Sequence, residues 1–113
     1  MWSKQRIDEE KLMKTVVGET IVAEAASEAV VSIEGNAYFP PDSVAVGALR
    51  NSPTPYICPW KGRAQYHDVV VGETVLRDRA WSYPNIKESA ATRVGRDFSG
   101  YVAFDAGKVR IEN

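Results

Sequence analysis

The residues able to do chemistry are few and close together. The chain's one cysteine, Cys58, and its one histidine, His67, share a segment with two of its three tryptophans and two of its five tyrosines. That segment runs Cys58-Pro59-Trp60-Lys61-Gly62-Arg63-Ala64-Gln65-Tyr66-His67 and resumes at Ala80-Trp81-Ser82-Tyr83-Pro84. A thiol becomes a nucleophile when a positive field lowers its pKa, and Lys61, Arg63 or His67 would supply one. Against this, Pro59 follows the cysteine, no second cysteine exists to resolve an oxidised thiol, and free cysteines are commonly buried. His67 with Asp78 has the composition of an oriented base, which would complete a thiol triad. The same pair also fits an ordinary surface ion pair.

Lys61 precedes a glycine at an expected turn. It suits an ion pair with a ligand carboxylate or a Schiff base, and equally a solvated turn lysine. Gly62 is expected to take a positive φ or to let another backbone approach closely. Tyr38, Trp60, Tyr66, Trp81 and Tyr83 would either fill a core or line a cavity. They alternate with charged residues, and Tyr and Trp stand where Phe and Leu would serve a dry interior, which favours a partly open pocket. Arg77 and Arg79 share a strand face and would clamp an anion or be satisfied internally. The expected ligand-binding set is Tyr38, Cys58, Trp60, Lys61, Tyr66, Arg79, Trp81 and Tyr83, with no metal ligands and no cofactor; a catalytic residue is not assigned.

Composition narrows the classes. The chain has 113 residues, 44% hydrophobic and 26% charged, with a formal net charge of −1, values ordinary for one globular domain. Charges of both signs alternate, so no basic stripe faces a row of phosphates, and neither nucleic acid nor a membrane surface is an expected partner. One cysteine and one histidine exclude a Cys-rich zinc site. The first residues lack the apolar core of a secretory signal, and no apolar stretch approaches a membrane span, which points to a cytoplasmic protein. Phosphate loops, nucleophile elbows and paired-carboxylate patterns are absent.

The elements that must position these residues are mostly strands. Residues 1–13 read as a tail or short helix, with Trp2, Ile7 and Leu12 as docking points, and residues 14–113 as one β domain. Gly18-Glu19 and Gly72-Glu73 each sit between β-branched runs and predict two-residue type II′ hairpins. Gly35-Asn36 predicts a third hairpin and Asp105-Ala106-Gly107 a fourth. With Val71 opposite Thr74, an unbroken register pairs Asp68 with Arg77, His67 with Asp78, Tyr66 with Arg79 and Ala64 with Trp81. Two short helices are expected, one over Asp42–Leu49 and one from an Asn85 cap through Val94 to Gly95. The fold class is mainly β with short helices, compact and antiparallel.

Four words in this order resemble the bacterial and fungal family called domain of unknown function 427, over about residues 15 to 112. They are Tyr38-Phe39-Pro40-Pro41; Cys58-Pro59-Trp60-Lys61-Gly62 with Ala64 and Tyr66; Ala80-Trp81-Ser82-Tyr83-Pro84; and Gly100-Tyr101-Val102-Ala103-Phe104. The resemblance implies an Mss4-like, or β-tent, fold. Relatives in that fold group bind small molecules in aromatic cages, reduce methionine sulfoxide or hold zinc between paired Cys-x-x-C knuckles. This chain lacks the knuckles, so the zinc is not carried over. The family has no established activity, and Trp60 stands where its pattern is expected to carry Tyr. The leading expectation is a domain that binds a small polar or anionic molecule in an aromatic-walled pocket. The rivals are a thiol-dependent enzyme using Cys58 with His67 and Asp78, and a homo-oligomeric interaction subunit without chemistry.

Overall fold

Residues 11–113 are described by the computed structural model. Both Gly-Glu turns form the hairpins expected of them. β1 (Leu12–Val17) meets β2 (Thr20–Ala26) with Val17 opposite Thr20. β8 (Gln65–Val71) meets β9 (Thr74–Ser82) with Val71 opposite Thr74. Gly18 and Gly72 have φ of 62° and 59°, whereas the glutamates after them are not in the left-handed region, which is the type II′ pattern. β1 begins at Leu12, so Leu12 and Met13 belong to a sheet; Trp2 and Ile7 lie outside the described residues.

The third hairpin forms with its loop one residue earlier than expected. β3 (Val31–Ile33) and β4 (Asn36–Phe39) place Ile33 opposite Asn36, leaving Glu34-Gly35 as the loop. Both loop residues have positive φ, 55° and 83°, as a type I′ turn requires. The fourth hairpin does not form. β10 (Val102–Phe104) pairs with β4 and β9, while β11 (Arg110–Glu112) pairs with β1. Asp105 turns the chain between them, its carboxylate accepting the Gly107 N–H at 2.9 Å and its carbonyl the N–H groups of Lys108 and Val109.

Helix is scarcer than expected. Asp42–Leu49 contains only the end of a 3-10 turn at Pro41–Ser43. Its backbone is claimed by sheet neighbours instead: Ala45 N–H donates to the Val22 carbonyl at 2.8 Å, and β5 (Leu49–Asn51) pairs with β8. Helix α1 (Glu88–Val94) ends at Gly95 as expected but starts after Lys87, not at an Asn85 cap. Lys87 N–H is already committed to the Lys61 carbonyl at 3.1 Å.

The strands assemble into three antiparallel sheets. One has the order β11-β1-β2, one β3-β4-β10-β9-β8-β5, and the third joins β6 (Ile57–Cys58) to β7 (Gly62–Arg63). Side chains alternate across the six-stranded sheet. Phe39, Val69, Ala80, Val102 and Phe104 face the three-stranded sheet and pack with Val22 and Ala23. Tyr38, Ala103, Trp81 and Tyr66 face the other way, where the β6–β7 hairpin, α1 and Phe98 cover them. No helix among the described residues is long and apolar enough to cross a membrane.

A bulge breaks the register expected between β8 and β9. Val69 is opposite Leu76, but the next pair is His67 with Ala80, so Asp68 alone stands against three residues. Asp78 takes a left-handed φ of 57° there, and its N–H donates to Asp68 Oδ1 at 3.0 Å. Asp68 therefore bonds the backbone of Asp78 and the side chain of Arg50, not Arg77. The pairs His67–Asp78, Tyr66–Arg79 and Ala64–Trp81 are replaced by His67–Ala80, Tyr66–Trp81 and Gln65–Ser82.

Gly62 holds the β6–β7 hairpin against the segment before α1. Its φ is 120°, and a Cβ built there would lie 3.1 Å from the Asn85 carbonyl oxygen. Gly72 has open space around it. Gly72→Ala is expected to cost about 1 kcal/mol from the left-handed backbone alone. Gly62→Ala should cost roughly 3 kcal/mol, since strain and a backbone clash add. Urea unfolding of the two variants checks this; equal losses would contradict the close approach at Gly62.

Candidate functional site

The register places one row of side chains across the sheet. Tyr38 in β4 is opposite Ala103 in β10, Ala103 is opposite Trp81 in β9, and Trp81 is opposite Tyr66 in β8. Residues directly opposite share a face. Ala103 is the small member of the row, so the Trp81 indole can reach across it, and Trp81 Nε1–H donates to Tyr38 Oη at 3.0 Å. Tyr66 lies beside Trp81 with ring centroids 6.1 Å apart. Tyr38 is buried and also meets Phe98 edge-on at 6.0 Å. The row is the wall of a cleft of about 330 Å³, closed on the other side by Tyr56, Cys58, Trp60, Lys61 and Tyr83 and at its edge by Glu34 and Asn36.

Lys61 is the charge in this wall. It sits on the three-residue loop Pro59-Trp60-Lys61 between Cys58 and Gly62, which are paired across the β6–β7 hairpin. The loop is pinned from behind, since Lys61 and Pro59 carbonyls accept the N–H and the Nζ of Lys87 at 3.1 and 2.7 Å. Lys61 is only 3% exposed. A buried ammonium needs a countercharge. Glu34 provides it from the β3–β4 turn, with Oε1 2.5 Å from Lys61 Nζ, while Oε2 accepts the Trp60 indole N–H at 3.2 Å. Lys61 Nζ also lies 4.5 Å from the centroid of the Trp60 ring and 5.2 Å from that of Tyr83. Arg93 from α1 stacks on Trp60, its Cζ 4.2 Å from the centroid.

These neighbours set the ionisation states. Burial disfavours the Lys61 charge, but Glu34, Tyr38 and Cys58 outweigh it and hold its pKa above the usual lysine value. The bond from Lys61 holds Glu34 below its ordinary 4.5. Lys61 is therefore a fixed cation, unsuited to Schiff-base chemistry, which needs a neutral amine. Burial alone would raise the Cys58 thiol. The backbone N–H groups of Lys61 and Trp60 and the Lys61 charge overcome this and bring the thiol below its ordinary value. Burial pushes the Tyr38, Tyr66 and Tyr83 hydroxyls upward, so all three are neutral donors at the wall.

Most residues expected at the site meet there. Tyr38, Cys58, Trp60, Lys61, Tyr66, Trp81 and Tyr83 all line the cleft. Arg79 does not: its guanidinium is bound to Asp105 at 3.0 Å. The expected thiol triad does not assemble. His67 is opposite Ala80 and shares its face, turned to the three-stranded sheet, whereas Cys58 packs on the other face. The sheet separates thiol from imidazole. His67 bonds Asn51 Oδ1 and Ser82 Oγ at 3.2 and 3.0 Å, and burial lowers its pKa and favours the neutral ring. Asp78 accepts the Thr54 hydroxyl at 2.7 Å. Glu34, Asn36, Tyr56 and Arg93 were not expected here. For Glu34 a signal existed: a long acidic side chain directly before Gly35 is a poor fit to a left-handed turn position, and such a misfit marks functional sites.

Two measurements follow from these charges. Glu34 has a folded pKa below its unfolded one, so its contribution to stability is present above the unfolded value and lost as pH falls through the folded value. Lys61 is the reverse, contributing below its unfolded value and losing its contribution as pH rises through the higher folded one. Glu34→Gln should cost about 1–2 kcal/mol at pH 7, less than a fully buried pair because water reaches half of the Glu34 side chain. The gap to wild type should close below pH 4.5, as the Glu34 carboxylate protonates. A gap that stays constant into acid would contradict the ion pair. For the thiol, alkylation followed against pH should titrate below the ordinary 9.0, and Lys61→Gln should move the midpoint upward. A midpoint indifferent to Lys61 would remove the ammonium from the account of Cys58.

The chain belongs to the family described as Domain of unknown function (DUF427), whose model matches residues 7–113. No curated protein sequence matches it.

Proposed function

We propose that this member of the family is a binding domain, and that its cleft takes a small polar or anionic molecule between the Tyr66–Trp81 wall and the Lys61 loop. The observation that carries this reading is a lysine 3% exposed yet charged, in the wall of an aromatic cleft of about 330 Å³. Stability alone gives little reason for such an arrangement, because an apolar side chain at the same place would avoid the desolvation cost of the ammonium. The volume is at the small end of ligand sites and suits a compact molecule. Rings supply flat contact area, and Lys61, the tyrosine hydroxyls and Asn36 supply the few polar groups that fix orientation.

A second reading has one observation behind it. The Cys58 sulfur sits in the cleft wall with two backbone N–H groups and the Lys61 charge holding its pKa down. A thiolate there would attack an electrophilic ligand, with the Lys61 ammonium stabilising the thiolate charge and not serving as the base that the expected triad made of His67. The binding reading is the more economical, because it uses the rings, the tyrosine hydroxyls, Asn36 and Lys61, and the thiol reading uses Cys58 and Lys61.

Differential scanning with a broad metabolite panel tests the first reading. A ligand at 100 times its Kd is expected to add roughly 3 kcal/mol to the stability of the folded state, and Trp81→Ala should abolish that gain. A panel in which nothing raises the melting temperature would remove the reading's main support.

A further inference from the structure

We propose that Lys61 Nζ and Trp60 Nε1–H form a receptor for a ligand carboxylate, and that Glu34 occupies this receptor as an internal substitute which the ligand's carboxylate replaces. The inference rests on the binding reading above and names the chemical class of the ligand: a small, flat organic acid.

The contacts are those of carboxylate recognition. Two donors from adjacent side chains converge on one carboxylate, Lys61 on Oε1 at 2.5 Å and the Trp60 indole on Oε2 at 3.2 Å. Both donors lie on a loop fixed at its base by Gly62 against Asn85 and by Lys87 against Lys61, so the pair is in place before any ligand arrives. The charge count is uneven. Lys61 and Arg93 are both at the Trp60 ring, within 4.5 Å of its centroid, and Glu34 is the one carboxylate lining the cleft. Arg93 makes no ion pair among the described residues. Arg93 thus adds a second positive charge at the Trp60 ring, beside the balanced pair of Lys61 and Glu34 in the cleft.

Glu34 is also placed as an occupant that can be exchanged. Its side chain is 53% exposed, whereas that of Lys61 is 4% exposed, so the carboxylate reaches inward from the rim to a cation recessed behind it. Its backbone has a φ of 55° in the β3–β4 turn, a conformation that glycine or asparagine adopts more readily. Nothing in the turn itself calls for glutamate; the carboxylate does. A ligand carboxylate would meet the same two donors and keep Lys61 neutralised, while its flat body lies on Tyr66 and Trp81. Glu34 would then turn out to water with no buried charge abandoned.

The test uses the full chain, two variants and two probes. Glu34→Gln keeps the side-chain length, and Glu34→Gly suits the positive φ, so one tolerates what the other does not. Benzoate and benzamide differ only in the carboxylate. Binding is followed by the indole N–H signals of Trp60 and Trp81 in nitrogen-15 correlation spectra. If Glu34 holds the receptor nine-tenths of the time, either variant should bind benzoate about tenfold more tightly than wild type, with benzamide unchanged. Benzoate binding that moves the Trp81 signal equally in all three proteins would overturn the internal substitute and leave the binding reading standing. Weaker benzoate binding in both variants would overturn it as well, by making Glu34 a ligand contact. Silence from both probes in both variants would overturn the carboxylate receptor, while the metabolite panel decides the broader reading separately.

Discussion

The ion pair between Lys61 and Glu34 is the constraint around which the cleft is organised. Taking an ammonium out of water costs several kcal/mol, and its partner restores that cost only when geometry and further bonds are good. Here the lysine is recessed and the glutamate is at the rim, so the pair is dry at one end and wet at the other. This asymmetry fixes the rest. Lys61 must be held from behind, which the Lys87 and Asn85 contacts do. Glu34 must be presented from the facing turn, which demands a left-handed residue there. Trp60 is gripped between them, its N–H on Glu34 and its ring beside Lys61 and Arg93.

The opposite wall is built by register alone. Alternation puts Tyr38, Ala103, Trp81 and Tyr66 on one face of the six-stranded sheet, and pairing sets them side by side. The bulge at Asp68 is what makes Trp81 the neighbour of Tyr66. Without the residues it absorbs, Arg79 would stand there and the wall would be ionic. One buried carboxylate, through its bond to the Asp78 N–H, thus decides whether an aromatic surface exists. The same sheet keeps His67 apart from Cys58, so any thiol chemistry would have to draw on Lys61.

Much of this was legible in the sequence, and the reasons are local. Gly18-Glu19 and Gly72-Glu73 specify two-residue loops through φ, so both hairpins follow from four residues. The rings of residues 58–83 and the glycine beside Lys61 marked the site because their chemistry is conspicuous. What was not legible depends on partners distant along the chain. The bulge requires Asp68 to bond a backbone ten residues on, and alternation cannot reveal that bond. Asp42–Leu49 has a helical look, but Val22 and β8 claim its backbone. Asp105-Ala106-Gly107 looks like a hairpin loop, yet the strands around it join different sheets. Glu34 differs in being local: its misfit shows only when the turn is placed at Glu34-Gly35, one residue before Gly35-Asn36.

The claim beneath all of this is that Lys61 is a charged, water-excluded ammonium bonded to Glu34. Nitrogen-15 spectroscopy of the lysine side chains observes it directly at neutral pH. The account predicts one ammonium signal whose protons exchange with water far more slowly than those of the other lysines, correlated with a side-chain carboxylate. A neutral amine, or six similar lysine exchange rates with none set apart, would contradict it.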